Sequence, residues 1–231
     1  MSLKRGDSDR HRPSTNGGVI CYNHPMMRTF FLALLMMMPL AAVAADEVTV
    51  LCLGDSLTDG YGVPRAEAWP ALLEKELKSS ALPQVKIINA GISGSTTASG
   101  PSRLKWYLKG GKKPAAMILQ LGPNDGLRGL DLGSSRKNLR EVIKIAKASG
   151  VKVLLAGMRI PPNYGAKYTE DFQRMYTELA KSEGVALIPF FLEGVAGERS
   201  LNQADGIHPN AAGHKVVVKV VRPHLEALLK S

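Results

Sequence analysis

Val48-Thr49-Val50-Leu51-Cys52-Leu53-Gly54-Asp55-Ser56-Leu57 begins as a run of apolar and β-branched residues and stops on a glycine followed by two small polar residues. A strand buried on both faces has no wet side to alternate with, so a short, nearly continuous apolar run reads as an interior strand of a parallel sheet. Four more runs share the pattern: Val85 to Asn89, Ala116 to Leu121, Val151 to Ala156 and Ala186 to Ile188. Amphipathic stretches separate them. Ala66 to Ser79 places Trp69, Leu72, Leu73 and Leu77 on one face, and Ser135 to Ser149 does the same with Leu139, Val142, Ile143 and Ala146, with Gly150 placed as a C-cap. Glu170 to Ser182 turns Phe172, Met175, Tyr176 and Leu179 inward and is closed by Gly184. The last helix is expected from Ala211 to Leu229, kinked or split at Pro223. Strands alternating with helices predict an α/β fold around a mostly parallel, five-stranded sheet.

The 231 residues, 45% hydrophobic and 22% charged, suffice for one domain with a sizeable core. The first 45 residues hold five basic and two acidic side chains, so +7 of the formal charge of +10 belongs to the rest. Residues 27–44 read as a signal peptide: Arg28 as its basic start, Phe30 to Leu40 as its apolar segment and Ala42-Val43-Ala44 as its cleavage site. Pro39 and the shortness of the apolar run argue against a spanning helix. Residues 1–26 form a polar leader, consistent with an over-extended start before Met26 or Met27. An exported, periplasmic or secreted domain over residues 45–231 is the expectation. Cys52 is then the single cysteine of that domain and reads as a small buried hydrophobe rather than a disulfide partner. His208, His214 and His224 lack the close spacing of a metal site, so neither metal nor cofactor is expected.

In open parallel sheets ligands bind beyond the carboxyl ends of the strands. Three of those ends carry unusual residues: Gly54-Asp55-Ser56-Leu57, Asn89-Ala90-Gly91 leading to Ile92-Ser93-Gly94, and Gly122-Pro123-Asn124-Asp125. Asp205-Gly206-Ile207-His208-Pro209 precedes the last helix. A serine hydroxyl needs a base to take its proton, and the base needs a partner to fix its tautomer. Ser56, His208 and Asp205 supply those types, and a spacing of three lets one turn aim the carboxylate at the imidazole. Oxyanion donors are available as the backbone N–H groups of Ser56 and Gly94 and the amide of Asn124. Each motif alone is an ordinary turn, cap or loop; the four in this order make a site.

This combination resembles the GDSL or SGNH hydrolases, whose blocks are named for a Ser, Gly, Asn and His that fall here on Ser56, Gly94, Asn124 and His208. It is similar in particular to the branch of bacterial acyl-CoA thioesterase I, also called arylesterase or lysophospholipase L1. The marks are Gly122 to Gly129, Pro161-Pro162-Asn163-Tyr164-Gly165, Pro189 to Glu193 and Asp205 to Asn210. The resemblance implies a three-layer α/β/α sandwich related to flavodoxin and hydrolysis of small acyl esters and thioesters. It also implies that Leu127, Arg128 and Gly129, with Pro162, Asn163 and Tyr164, line the acyl pocket, against the alternative of plain loop packing. Two positions depart from the pattern. Pro123 stands where relatives have a second glycine, which stiffens the loop, and Ser95 where they commonly have an acid. The Gly-x-Ser-x-Gly elbow of the α/β-hydrolases is absent.

Asp55 reads as a brace for the serine turn and Asp125 as a structural carboxylate. Lys105-Trp106-Tyr107-Leu108-Lys109 with Lys112 and Lys113 reads as a solvated helix face, or as weak attraction to an anionic lipid surface. No nucleic-acid module or phosphate-binding glycine loop occurs. Lysophospholipase, carbohydrate acetyl esterase and a non-catalytic lipid-binding protein are the competing functions.

Overall fold

The computed structural model describes residues 47–231 apart from Ala81, Pro83 and Lys112. The polar leader and the signal peptide expected over residues 1–44, with Cys21, lie outside the described residues.

The first strand, β1 (Val48–Gly54), is followed by the short helix α1 (Ser56–Asp59) and then by α2 (Trp69–Lys78). Next come β2 (Val85–Gly91), α3 (Gly100–Lys109), β3 (Ala116–Gln120) and the one-turn α4 (Pro123–Leu127). The remainder is α5 (Leu132–Ala148), β4 (Lys152–Ala156), α6 (Ala166–Glu183), β5 (Ala186–Ile188) and α7 (Ala211–Lys230). The strand order is β2-β1-β3-β4-β5, and every pair is parallel. In this order the chain direction across the sheet reverses between β1 and β3, which opens a crevice beyond their carboxyl ends. α2 packs against α7, while α3, α5 and α6 pack in series, giving a helical layer on each side of the sheet. The central strand β3 is wholly buried, as its unbroken apolar character requires.

Two helices differ from expectation. Residues 66–79 are not one helix: Arg65–Glu67 is a 3₁₀ turn, and α2 starts at Trp69 after an extended Ala68. Pro70 has no N–H to donate, so it is accommodated in the first turn, and this sets where the helix begins. α7 continues through Pro223 as a single helix of 20 residues. Pro223 and Lys219, one turn back, are both exposed, so the carbonyl released by the proline faces water. The buried Val217, Val218, Val221 and Leu225 hold both halves against the core.

Trp69, edge-on to Phe191 at 5.5 Å, and Phe172, edge-on to Tyr176 at 5.4 Å, are the largest buried side chains on the two sides. Cys52 is buried and free, and burial pushes its thiol far above the usual range, in keeping with a packing role. Among the described residues no helix is long and apolar enough to cross a membrane, and no cluster of His, Cys, Asp and Glu could hold a metal ion.

Candidate active site

β1 runs straight into the serine turn. Asp55 follows the last residue of the strand, and its Oδ1 accepts the Leu57 N–H at 3.0 Å, capping α1 so that Ser56 is its first residue. The turn sits tight against the sheet: a Cβ on Gly54 would lie 2.0 Å from Thr58 Oγ1, so no larger residue fits. Thr58 Oγ1 donates to Gln120 Oε1 at 2.7 Å, and Arg103 donates to the carbonyls of Gly54 and Ala90, tying the ends of β1, β2 and β3 together. Asp55 is fully buried; desolvation pushes its carboxyl up to about 7, opposed by the Leu57 N–H, Gln120 and the charge of Arg103.

His208 arrives from the other end of the chain. Its Nε2 is 2.9 Å from Ser56 Oγ, and its Nδ1 is 2.7 Å from Asp205 Oδ2. Asp205 Oδ1 accepts the N–H groups of Ile207 and His208, both at 3.0 Å, which shapes the turn and aims the second oxygen at the ring. Burial alone would raise this carboxyl, but the bonds from the His208 ring and the two backbone N–H groups outweigh it and hold it below the usual range. The loop is fastened at both ends: Gln203 N–H donates to the His208 carbonyl at 2.8 Å, and Asn210 caps α7 through the N–H groups of Ala212 and Gly213. Gln203 Nε2 also donates to the Tyr61 carbonyl at 2.6 Å, and the Tyr61 ring lies 4.8 Å from that of His208.

Gly94 has φ +78°, a conformation glycine adopts without strain. Its carbonyl accepts from Arg128 at 3.2 Å. Asn124 Nδ2 donates one proton to the Ser95 carbonyl at 3.0 Å, leaving its second proton free to donate. The Ser56 and Gly94 N–H groups donate to none of the described residues. Pro123 occupies the first position of α4, where its missing N–H is not needed. Asp125 is a brace: buried, it accepts from Thr97 N–H at 2.9 Å, Thr97 Oγ1 at 2.6 Å and Ser135 Oγ at 3.0 Å.

A cavity of about 480 Å³ opens beside Ser56, Asn124 and His208. Its walls are mostly apolar: Leu57, Leu127, Met158, Ile160, Pro161, Pro162, Phe190, Leu192 and Ile207. The size and character suit an acyl group. Of the pocket residues expected from sequence, Leu127 and Pro162 are in the wall, whereas Arg128, Gly129, Asn163 and Tyr164 are not. Arg128 donates to the Gly94 carbonyl, and the Tyr164 hydroxyl donates to the Leu127 carbonyl at 2.9 Å, so both tie loops together. Of the wall residues not expected from sequence, Leu57 and Ile207 are next to Ser56 and His208, and Met158, Ile160, Pro161, Phe190 and Leu192 follow β4 and β5, where apolar side chains beyond a strand look like ordinary packing. His214, weighed in the sequence only as a metal ligand, has a structural place: buried, it accepts the Trp69 N–H on Nδ1 at 3.2 Å and joins α2 to α7. Burial, and then the charge of His208, pushes its imidazole down to about 4.

These features define the class of α/β/α-sandwich hydrolases, which work at the carboxyl edge of a five-stranded parallel sheet. The family model of GDSL-like lipases/acylhydrolases matches residues 52–216. The esterase TesA of Pseudomonas aeruginosa is 41% identical over 203 residues, covering 88% of this chain and 100% of that protein. Thioesterase 1/protease 1/lysophospholipase L1 of Escherichia coli K12 is 38% identical over 195 residues, covering 84% of this chain and 90% of its own length. A crystal structure of TesA shares the fold with a TM-score of 0.74 at 43% identity, covering 78% of this chain and 99% of that one. The chain belongs to the GDSL-like lipase/acylhydrolase family.

Proposed function

We propose that this acylhydrolase cleaves short- to medium-chain acyl esters and thioesters through an acyl-enzyme on Ser56. The observation that carries the reading is the series Ser56 Oγ, His208 and Asp205, with contacts of 2.9 and 2.7 Å, at one end of an apolar cavity. His208 Nε2 takes the Ser56 proton as Oγ bonds to the acyl carbon. Asp205 keeps the other ring proton on Nδ1 and stabilises the imidazolium that forms. The negative charge gathers on the former carbonyl oxygen, where the N–H groups of Ser56 and Gly94 and the free Asn124 proton are the donors. The C–O or C–S bond then breaks, and the imidazolium protonates the leaving oxygen or sulfur. Water, deprotonated by the same imidazole, releases the acid and restores Ser56. No step requires a cofactor.

The names of the two relatives, an esterase and a thioesterase/lysophospholipase, support an acyl substrate with either an oxygen or a sulfur leaving atom. Export through residues 27–44, leaving a domain from about Ala45, is part of the proposal and rests on the sequence. A weak contact with anionic lipid is supported by Trp106, 78% exposed between the exposed Lys105 and Lys109 on α3. A chain-length series of p-nitrophenyl esters and acyl thioesters tests the central reading. Turnover that peaks at short or medium chains is expected, and activity confined to acetylated carbohydrate would replace it with an acetyl esterase.

A further inference from the structure

The cavity wall contains one charge that neither braces a loop nor serves the reaction described above. Arg159, just past β4, places its guanidinium carbon 4.5 Å from the centroid of the Phe190 ring, just past β5. Both residues line the cavity. Arg136, Arg140, Arg174 and Arg222 pair with carboxylates, and Arg103 and Arg128 donate to backbone carbonyls. Arg159 is exposed, makes no ion pair or hydrogen bond among the described residues, and lies over the Phe190 ring. The wall includes no Asp or Glu to neutralise it. A guanidinium stacked on an aromatic face is held by that face while its N–H edge stays free, in the fork geometry that fits carboxylate and phosphate oxygens.

We propose that Arg159 forms an anion subsite of the acyl cavity, so that the enzyme prefers esters and thioesters carrying a phosphate or carboxylate group over neutral ones of the same acyl length. The proposal rests on the hydrolase reading and adds to it the charge of the substrate. The anion has two possible places: on the leaving group, or at the far end of the acyl chain. The contact is made in the ground state and the transition state alike, so its loss raises KM and leaves kcat nearly unchanged.

The test uses the purified chain and two variants: Arg159→Met, which keeps an apolar stem against Phe190, and Arg159→Lys, which keeps the charge without the fork. Three substrates are compared: p-nitrophenyl octanoate, octanoyl-coenzyme A, and the p-nitrophenyl monoester of suberic acid. Arg159→Met is expected to raise KM about tenfold for one or both anionic substrates at low salt, the order of a charge-assisted hydrogen bond. For the neutral ester the change stays under about twofold, Arg159→Lys recovers part of the loss, and salt narrows the difference. A loss on octanoyl-coenzyme A places the anion on the leaving group, and a loss on the suberate ester places it at the chain end; either supports the subsite. An equal loss on neutral and anionic substrates overturns it. Binding of octanoyl-coenzyme A to Ser56→Ala protein, read by calorimetry, separates the two readings. If wild-type protein hydrolyses none of the three while Arg159→Met still weakens binding about tenfold, the hydrolase reading fails and the subsite stands. Binding indifferent to Arg159→Met overturns the subsite.

Discussion

Asp55 immediately precedes Ser56, and Asp205 lies three residues before His208, yet the fold gives the two carboxylates opposite surroundings. Asp55 is sealed under the serine turn, where desolvation favours its neutral form and its Oδ2 has no partner among the described residues. Asp205 keeps 38% of its side-chain surface in solvent and accepts three hydrogen bonds, which favour its charged form. A carboxylate that must stay ionised beside an imidazolium needs donors to its charged form; one that only shapes a turn can do without them. Adjacency to Ser56 in sequence therefore does not make Asp55 the partner of the imidazole; the surroundings of each acid set which of its forms is favoured.

Substitution at the two acids exposes the contrast most sharply. Asp205→Asn is expected to lower kcat by about 10⁴, the scale on which an amide in place of the triad acid leaves the imidazole in the wrong tautomer. Steady-state kinetics on a p-nitrophenyl ester measures it. Asn124→Ala, which removes one oxyanion donor and neither acid, should cost about 10² to 10³ in kcat with KM little changed. A loss under about threefold would remove Asn124 from that role. Asp125→Asn should act on stability: an amide NH₂ facing donors from Thr97 or Ser135 leaves buried groups unmatched, at about 2 to 3 kcal/mol in denaturant midpoints.

Asp55→Asn has the smallest effect. The amide oxygen can still accept the Leu57 N–H, so turnover at pH 8 should stay close to wild type. Its signature lies in stability against pH. With the folded carboxyl raised from 3.8 to about 7, the folded protein holds a proton that the unfolded chain has released over that window. Wild-type stability from this group is therefore fully present below about 3.8, falls as pH rises towards 7, and levels off above. His214, lowered from 6.5 to about 4, contributes stability above 6.5 that is lost as pH falls, a slope of opposite sign over nearly the same window. The informative quantity is thus the difference between Asp55→Asn and wild type, which should move in the variant's favour from pH 4 to pH 7. A constant difference would mean that Asp55 is ionised throughout.

The interior strands β1, β3 and β4 were legible because such strands are written as apolar runs, the edge strands β2 and β5 as short apolar runs between helical stretches, and the position of Ser56 was legible because a glycine and two small polar residues cannot continue such a run. The pairing of Asp205 with His208 was legible because the turn that joins them is local. Contacts between distant segments were not. Nothing in Gln203 or Tyr61 alone announces that one steadies the other beside the imidazole, since 142 residues separate them. The cavity wall was half legible: Leu127 and Pro162 sit in loops that the resemblance assigns to the pocket, whereas Phe190 and Leu192 sit in a marked motif with no role attached, and Met158 and Ile160 look like core residues until the cavity beside Ser56 is seen. The family resemblance implies that the loops of Arg128 and Tyr164 line the acyl pocket; their side chains bond to the carbonyls of Gly94 and Leu127.

The imidazole 2.9 Å from Ser56 Oγ is proposed to make that hydroxyl a nucleophile. The rate of labelling by a fluorophosphonate, followed by mass spectrometry of the peptide that bears the adduct, tests it directly in wild-type and His208→Ala protein. The account predicts one adduct, on Ser56, formed readily in the wild type and slower by at least about 10³ in the variant. Labelling at another residue, or at an undiminished rate without His208, would contradict it.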